Sequence, residues 1–237
     1  MTDSKEKILS RIREALRAPA PTPAQIYGRH ENVPAKEYSR DFRDAMPPAG
    51  TTSAERGEIF AKNLAALAGK LVECASIEDA QKKLDTLRAE RGWNKIATHH
   101  APLCDAVVRA PATPIYANDV EPIYTDFGYD KHALEAVDVG ISECECLVAQ
   151  TGSVMFSSKA CGGRALAILP PVHIVLAKKS QLVGDLTDAY AHVREKYGEN
   201  LPDCLGFITG PSRTGDIERI LVLGAHGPKE LFVFLID

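Results

Sequence analysis

The residues best suited to chemistry lie near the end of the 237-residue chain, in the stretch FITGPSRTGDIERILVLGAHGP at 207–228. Its first loop combines a glycine, two hydroxyl groups and a guanidinium group, from Gly210, Ser212, Thr214 and Arg213. Glycine lets the backbone approach a ligand closely, and the N–H groups of a turn can surround an anion. Arginine binds carboxylate and phosphate groups in bidentate fashion. The loop therefore predicts a binding site for a small carboxylate or phosphate.

The same loop also has a structural interpretation. Ser212 or Thr214 would be the N-cap of a helix, and Asp216 and Glu218 would be the acids that favour the positive end of its dipole. In the binding interpretation, the two acids instead hold Arg213 or position a substrate. The loop lacks the Gly-Lys-Ser/Thr ending of a P-loop. The local sequence leaves both interpretations open.

A histidine occupies the second loop of this stretch, between Gly224 and Gly227. An imidazole on such a loop can donate or accept a proton near neutral pH, and loops on rigid scaffolds often carry function. His226 is therefore a predicted catalytic residue and Gly227 a predicted binding residue. The alternative is that His226 is a turn residue that bonds to the backbone.

A third candidate region is the segment LVAQTGSVMF at 147–156. Thr151 and Gly152 separate two apolar runs, as a hairpin turn or a ligand-contacting loop would. Upstream, Glu143 and Glu145 share one face of an extended strand. A carboxylate near such a loop can act as a nucleophile or general base, so Glu145 is the second predicted catalytic residue. An exposed position would explain it equally well.

The cysteines and histidines do not have metal-binding spacing. The six cysteines are scattered without a C-x-x-C pair, and the seven histidines contain no H-E-x-x-H motif. Cys144 and Cys146 form only a C-x-C, so we expect the cysteines to be small buried residues. The sequence predicts neither a metal site nor a cofactor in this chain.

Composition excludes several classes of protein. A formal charge of -4 and an aromatic content of 6% are untypical of a nucleic-acid binder. No apolar run approaches the roughly 20 residues of a membrane helix. The first residues, MTDSKEKILSRIREALRAP, are charged and periodic and lack the apolar core of a secretory signal. We therefore expect a cytoplasmic protein without a membrane span.

The patterning predicts two parts, an N-terminal helix with a proline-rich linker over 1–51 and an α/β domain over 52–237. The first part has helical spacing at 3–17 and then six prolines up to residue 50. From residue 52, helical and strand patterns alternate, which is typical of parallel strands joined by helices. A last long helix is predicted over 180–198, and the C-terminal third is rich in strands.

The motifs AQTGSV, ALAILPPVHIVLA, ITGPSRTGDIE and LVLGAHGPKELFVFLI resemble, in order and spacing, those of the LUD-domain family. The resemblance covers roughly residues 55–237. It implies an α/β fold similar to CoA transferases and ribose-phosphate isomerases, with a mixed, largely parallel sheet flanked by helices. It also implies that the loops at 210–214 and 224–228 form neighbouring sides of one cleft, in which Arg213 contacts the anion.

The resemblance further implies a role in oxidising L-lactate to pyruvate, alongside partner proteins that carry iron–sulfur clusters. This chain would be a non-redox subunit that binds a small carboxylate or stabilises the assembly. Two other functions stay open: a free-standing enzyme that binds a phosphorylated or CoA-linked molecule at 210–214, and a scaffold or regulatory module. The oligomeric state, a homo-oligomer included, is also open. One departure from the family is Gln150, where relatives often carry a carboxylate before the Thr/Ser-Gly pair.

Overall fold

The computed structural model describes residues 2–15, 17, 46–108, 122–126, 128–214 and 222–237. Within the chain, Met1–Met46 and Pro47–Asp237 form two separate compact units. Residues 18–45 of the predicted proline-rich linker lie outside the described residues, as do the predicted site residues Asp216 and Glu218.

The described elements follow one another as helices and strands in alternation over the first half of the larger unit. The helices are α1 (Thr2–Ala15), α2 (Ser53–Ala66), α3 (Ile77–Arg91), α4 (Pro102–Val108), α5 (Lys131–Glu135) and α6 (Leu186–Tyr197). The strands are β1 (Lys70–Cys74), β2 (Ile96–Thr98), β3 (Ile123–Tyr124), β4 (Val139–Glu143), β5 (Cys146–Val148), β6 (Ser153–Ser157), β7 (Val172–Lys178), β8 (Leu182–Val183), β9 (Leu205–Ile208), β10 (Arg213–Thr214), β11 (Val222–Leu223) and β12 (Glu230–Ile236).

A six-stranded sheet forms the centre of the larger unit, in the order β1-β12-β7-β4-β2-β3. Every pairing in it is parallel, and β7 and β12 are paired along their whole length, from Val172 opposite Glu230 to Lys178 opposite Ile236. Buried on both faces, these two strands are nearly continuous apolar runs, as parallel strands usually are. The prediction of a largely parallel sheet flanked by helices is confirmed.

A second sheet has the order β8-β5-β6-β9 and is mixed, because β6 is antiparallel to both of its neighbours. Helix α2 lies between the two sheets. Its buried Phe60 and Leu64 pack with Val175 and Val233 of the central sheet and with Leu147 of the second sheet. The opposite face of the central sheet packs against α3 and α4, and the outer face of the second sheet packs against α6.

The helix starts follow local capping chemistry. Thr52 and Glu55 form a capping box at α2, and Ser76 accepts a hydrogen bond from the Asp79 N–H at α3. The predicted helix over 180–198 is too long at its beginning. Asp185 caps the helix and Leu186 starts it, because Leu182 and Val183 instead extend the second sheet as β8.

Candidate functional site

The two glycine-rich loops of the opening stretch lie side by side. Backbone hydrogen bonds join Ser212 N–H to Pro228 O at 2.8 Å and Gly224 N–H to Ser212 O at 2.9 Å. Arg213 and Thr214 pair with Leu223 and Val222 in a two-stranded antiparallel ribbon. Ser212 is therefore not the N-cap of a helix, because the next two residues, Arg213 and Thr214, belong to strand β10. The residues that would follow Thr214 as an N-cap lie outside the described ranges.

The first loop is packed against the C-terminal end of α2. A guanidinium N–H of Arg213 donates to the carbonyl oxygen of Leu67, which is the C-cap of that helix. A Cβ on Gly210 would lie 2.6 Å from the same oxygen, which explains why this position, with φ of +87°, is a glycine. Ser212 N–H and one Arg213 N–H thus already bind the protein itself, and the anion-binding role of the loop stays a prediction.

The Thr151–Gly152 turn joins β5 to β6 and also packs on α2. Asn63 Nδ2 donates to the carbonyl oxygens of Ala149 and Gln150, each at 2.9 Å. Gly152 has φ of +64°, and a Cβ there would lie 2.6 Å from the backbone of Asn63. The buried Oγ1 of Thr151 has no hydrogen-bond partner among the described residues. The close packing on α2 therefore explains why position 152 is a glycine, without a contact to a ligand.

His226 lines an open groove of about 500 Å³ near the start of β7 and β12. This volume lies in the range of small-molecule sites. The wall includes an apolar side formed by Ile168, Leu169, Pro171 and Ala225 and a polar side formed by Glu135, His226 and Lys229, and Gly224 and Gly227 complete the lining. His226 itself is exposed.

Glu145 is fully buried rather than exposed. Its carboxylate accepts hydrogen bonds from Lys196 Nζ at 2.7 Å, from Tyr197 OH at 2.8 Å and from Ser157 Oγ. Burial alone raises the pKa of the Glu145 carboxyl, but these hydrogen bonds outweigh it and hold the pKa below the ordinary value. The carboxylate therefore connects β5, β6 and the end of α6.

The structure does not bring the two predicted catalytic residues together. Glu145 follows the carboxyl end of β4, whereas the His226 groove lies at the amino end of the neighbouring strand β7. A strand of seven residues separates its two ends by roughly 20 Å. Glu145 and His226 therefore cannot act on the same atom of one small substrate.

A polar cluster that no sequence motif marked lies at the carboxyl end of the central sheet. The chain leaves β2 towards the edge strand β3, whereas it leaves β4 towards β7 on the other side. Ligands of open α/β sheets gather at such a point of reversal. There His99 Nε2 accepts a hydrogen bond from Glu143 N–H at 3.1 Å, and the Glu143 carboxylate accepts one from Leu103 N–H at 2.6 Å.

His100 continues this cluster on the solvent side. Its Nδ1 lies 3.1 Å from Asp105 Oδ1, its backbone N–H donates to Asp126 Oδ2 at 2.8 Å, and its ring stacks on Tyr124. The signal that could have identified these residues was their position, since His99 and His100 directly follow a strand of a parallel sheet. Their residue types alone did not distinguish them.

The sequence model of the LUD domain family matches residues 57–236, which include the predicted site loops at 151–152, 210–214 and 224–228. The chain belongs to the LUD domain family. The expected resemblance is thereby confirmed.

Curated relatives of this LUD domain protein include the protein named lactate utilization protein C from Shouchella clausii, which is 40% identical over 104 residues. Another is lactate utilization protein C 1 from Bacillus mycoides, 38% identical over 105 residues. Each match covers 44% of this chain and 45% of the relative. The chain thus matches about half the length of these relatives.

A solved structure shares the fold of the LUD domain. It belongs to a DUF162 family protein from Deinococcus radiodurans, with a TM-score of 0.58 and 17% sequence identity. The similarity covers 79% of this chain and 100% of that chain. At this level of identity the match establishes the fold.

Five of the six cysteines of the LUD domain protein are buried, and Cys204 is half-buried. Burial raises the pKa of the Cys146 and Cys161 thiols to about 12 and that of Cys74 to about 11. Among the described residues, no three His, Cys, Asp or Glu side chains are arranged to hold a metal ion. None of the described helices is long and apolar enough to span a membrane.

Proposed function

We propose that this protein takes part in L-lactate utilisation as a non-redox subunit of a system that oxidises L-lactate to pyruvate. The observation that carries the proposal is the 38–40% identity to proteins named lactate utilization protein C, within a shared LUD domain. The oxidation removes two electrons and two protons from lactate. In the proposal, iron–sulfur clusters of partner proteins accept the electrons, and the assembly works in the cytoplasm.

The state of the cysteines supports a non-redox role for this chain. Thiolates, not thiols, bind iron, and low-pKa thiols are typical of reactive sites. Here burial raises the pKa of Cys104 and Cys144 far above the ordinary value, as it does for Cys161. These thiols therefore stay protonated at neutral pH and pack as small apolar groups.

A deletion strain tests the proposal directly. Growth on L-lactate as the carbon source should be lost, growth on pyruvate should be unchanged, and the chain expressed from a plasmid should restore the loss. Tagged protein purified from lactate-grown cells should carry iron–sulfur proteins with it. Unchanged growth of the deletion strain on L-lactate would contradict the proposal.

The two other functions stay predictions. A free-standing enzyme that binds a phosphorylated or CoA-linked molecule at 210–214 requires donors directed at the ligand, whereas Ser212 N–H and an Arg213 N–H bind Pro228 and Leu67. A thermal shift with inorganic phosphate or CoA that disappears in Arg213→Ala would favour that enzyme. Full growth on lactate of His226→Ala and Arg213→Ala strains would favour a scaffold.

A further inference from the structure

The His226 groove contains a second side chain that can bind an anion. Lys229 lies three residues after His226 and lines the same groove. A Cβ built on Gly224 would lie only 2.2 Å from Lys229 Cγ, so the stem of the lysine rests directly on the glycine backbone. Gly224 has φ of +73°, a conformation that favours glycine. The loop therefore holds the lysine stem in place before any ligand binds.

The Lys229 ammonium group and the His226 imidazole ring are the two basic groups that line the groove. Among the described residues, neither the ammonium group nor the imidazole ring has a hydrogen bond or ion pair. Arg213, the predicted anion contact, differs in this respect because it donates to Leu67 O. A lysine held by its stem, with an unengaged ammonium group, is suited to bind a carboxylate as a point charge.

One acidic residue faces the same groove, and its charge is partly matched elsewhere. Glu135 lies 3.4 Å from Lys131 Nζ and 3.5 Å from His132 Nδ1, both on its own helix α5. The other walls are apolar, and Ile168 is 48% exposed beside them. Among the described residues, the groove thus combines Lys229, His226, an apolar surface and a Glu135 carboxylate that Lys131 and His132 partly neutralise. The lysine and the apolar surface together suit an organic anion with a short alkyl part.

We propose that Lys229 is the anion-binding residue of this groove and that its ligand is a small 2-hydroxy or 2-oxo monocarboxylate. The carboxylate binds the Lys229 ammonium group, the alkyl part contacts Ile168 and Pro171, and His226 contacts the oxygen on the second carbon. The choice of this ligand class rests on the proposed role in lactate utilisation. The position of the site rests on the groove and on Lys229 alone.

Binding to the full chain tests this assignment, with L-lactate, pyruvate, propionate and inorganic phosphate as probes in ligand-observed NMR titrations. An open groove with one charge–charge contact predicts dissociation constants on the order of millimolar. Lys229→Met, which keeps length and removes charge, should weaken pyruvate binding at least ~10-fold, the effect of losing one charge-assisted hydrogen bond. Lys229→Arg should retain most of the affinity. Lys82→Met, an exposed lysine on α3, is the matched control and should bind like the wild type.

The second variant tests the role of His226. Propionate lacks the oxygen on the second carbon, so His226→Gln should remove most of the preference for pyruvate over propionate. The assignment is overturned if the wild type binds no monocarboxylate, if Lys229→Met binds pyruvate like the wild type, or if phosphate competes as strongly as pyruvate. It is also overturned if Arg213→Met, but not Lys229→Met, abolishes binding, which would move the anion site to the 210–214 loop.

Growth of the deletion strain on L-lactate, compared with pyruvate binding by the Lys229→Met protein, distinguishes a failure of this site assignment from a failure of the proposed function. If the deletion strain fails on L-lactate but Lys229→Met protein binds pyruvate normally, the function stands and the site assignment fails. If the deletion strain grows on L-lactate while Lys229→Met protein loses pyruvate binding, the site stands and the lactate role fails.

Discussion

The backbone N–H of Glu143 donates a 3.1 Å hydrogen bond to Nε2 of His99. The bond connects the carboxyl ends of β4 and β2, between which the chain reverses its direction through the sheet. Because Nε2 accepts, the proton of the neutral ring is on Nδ1. His99 is 2% exposed, and a Cβ on Gly162 would lie 2.4 Å from the Cβ of His99. The imidazole ring is therefore fixed by packing as well as by the hydrogen bond.

Replacing His99 should therefore destabilise the protein, because the half-buried Glu143 N–H loses its acceptor. We expect His99→Leu to lower the free energy of unfolding by about 1–3 kcal/mol, measured by urea denaturation at pH 7. His99→Gln retains an acceptor and should cost less. The control is His132→Gln, because the His132 side chain is 89% exposed. Equal stability of His99→Leu and the control would contradict the role of this bond.

A second buried histidine predicts how stability depends on pH. His173 is buried, its Nε2 lies 2.9 Å from Ser142 Oγ, and Nδ1 has no partner among the described residues. Burial, and to a smaller extent the nearby His99, lowers the pKa of His173 from 6.5 to about 4. Below pH 6.5 the unfolded chain binds a proton at His173 that the folded protein does not bind. The free energy of unfolding therefore decreases as the pH is lowered from 6.5 to about 4.

The expected loss for His173 is about 2 kcal/mol between pH 6.5 and pH 5, from 1.4 kcal/mol per pH unit. The pKa of His99 is also lowered by burial, which adds a change in the same direction. Urea denaturation at a series of pH values from 7 to 5 measures the slope. His173→Asn should flatten it, and His132→Gln should leave it unchanged. A slope that stays the same in His173→Asn would disprove the assignment.

Two glycines with nearly the same backbone conformation allow the cost of backbone strain to be measured apart from the cost of a steric clash. Gly152 and Gly92 have φ of +64° and +66°, but a Cβ meets nothing within 4 Å at Gly92 and lies 2.6 Å from the Asn63 backbone at Gly152. Gly92→Ala should cost about 1–2 kcal/mol of stability from the left-handed conformation alone. Gly152→Ala should cost a further ~1–3 kcal/mol from overpacking. Thermal or urea unfolding of both variants measures the difference, and equal costs would contradict it.

The buried Glu145 carboxylate predicts a stability effect at neutral pH. Glu145→Gln removes the charge that Lys196, Tyr197 and Ser157 bind. We expect the free energy of unfolding to decrease by roughly 2 kcal/mol, which is less than for a fully buried ion pair because Lys196 is 45% exposed.

The same carboxylate makes stability depend on pH. Since the pKa of the Glu145 carboxyl is lowered in the fold, this stabilisation is present at neutral pH and is lost as pH falls through the folded pKa. The exposed Glu195→Gln on α6 is the control, measured by urea denaturation, and should change stability by less than ~0.5 kcal/mol.

The local chemistry of the sequence by itself determined most of the elements of this protein. Apolar spacing predicted the alternation of helices and strands from residue 52 and the strand-rich C-terminal third, because periodicity acts over a few neighbouring residues. The alternation of helices and strands was sufficient to predict the largely parallel sheet. The motif spacing was sufficient to identify the family.

Only the tertiary structure decided what the candidate residues contact. Arg213 reaches Leu67 across 146 positions and Glu145 reaches Lys196 across 51, and no local pattern encodes either partner. The same is true of Gly224, whose glycine identity reflects the packed stem of Lys229. Sheet topology placed Glu145 and His226 near opposite ends of the strands and brought His99 to Glu143. These relationships depend on pairing between distant segments, which forms only when the whole core packs.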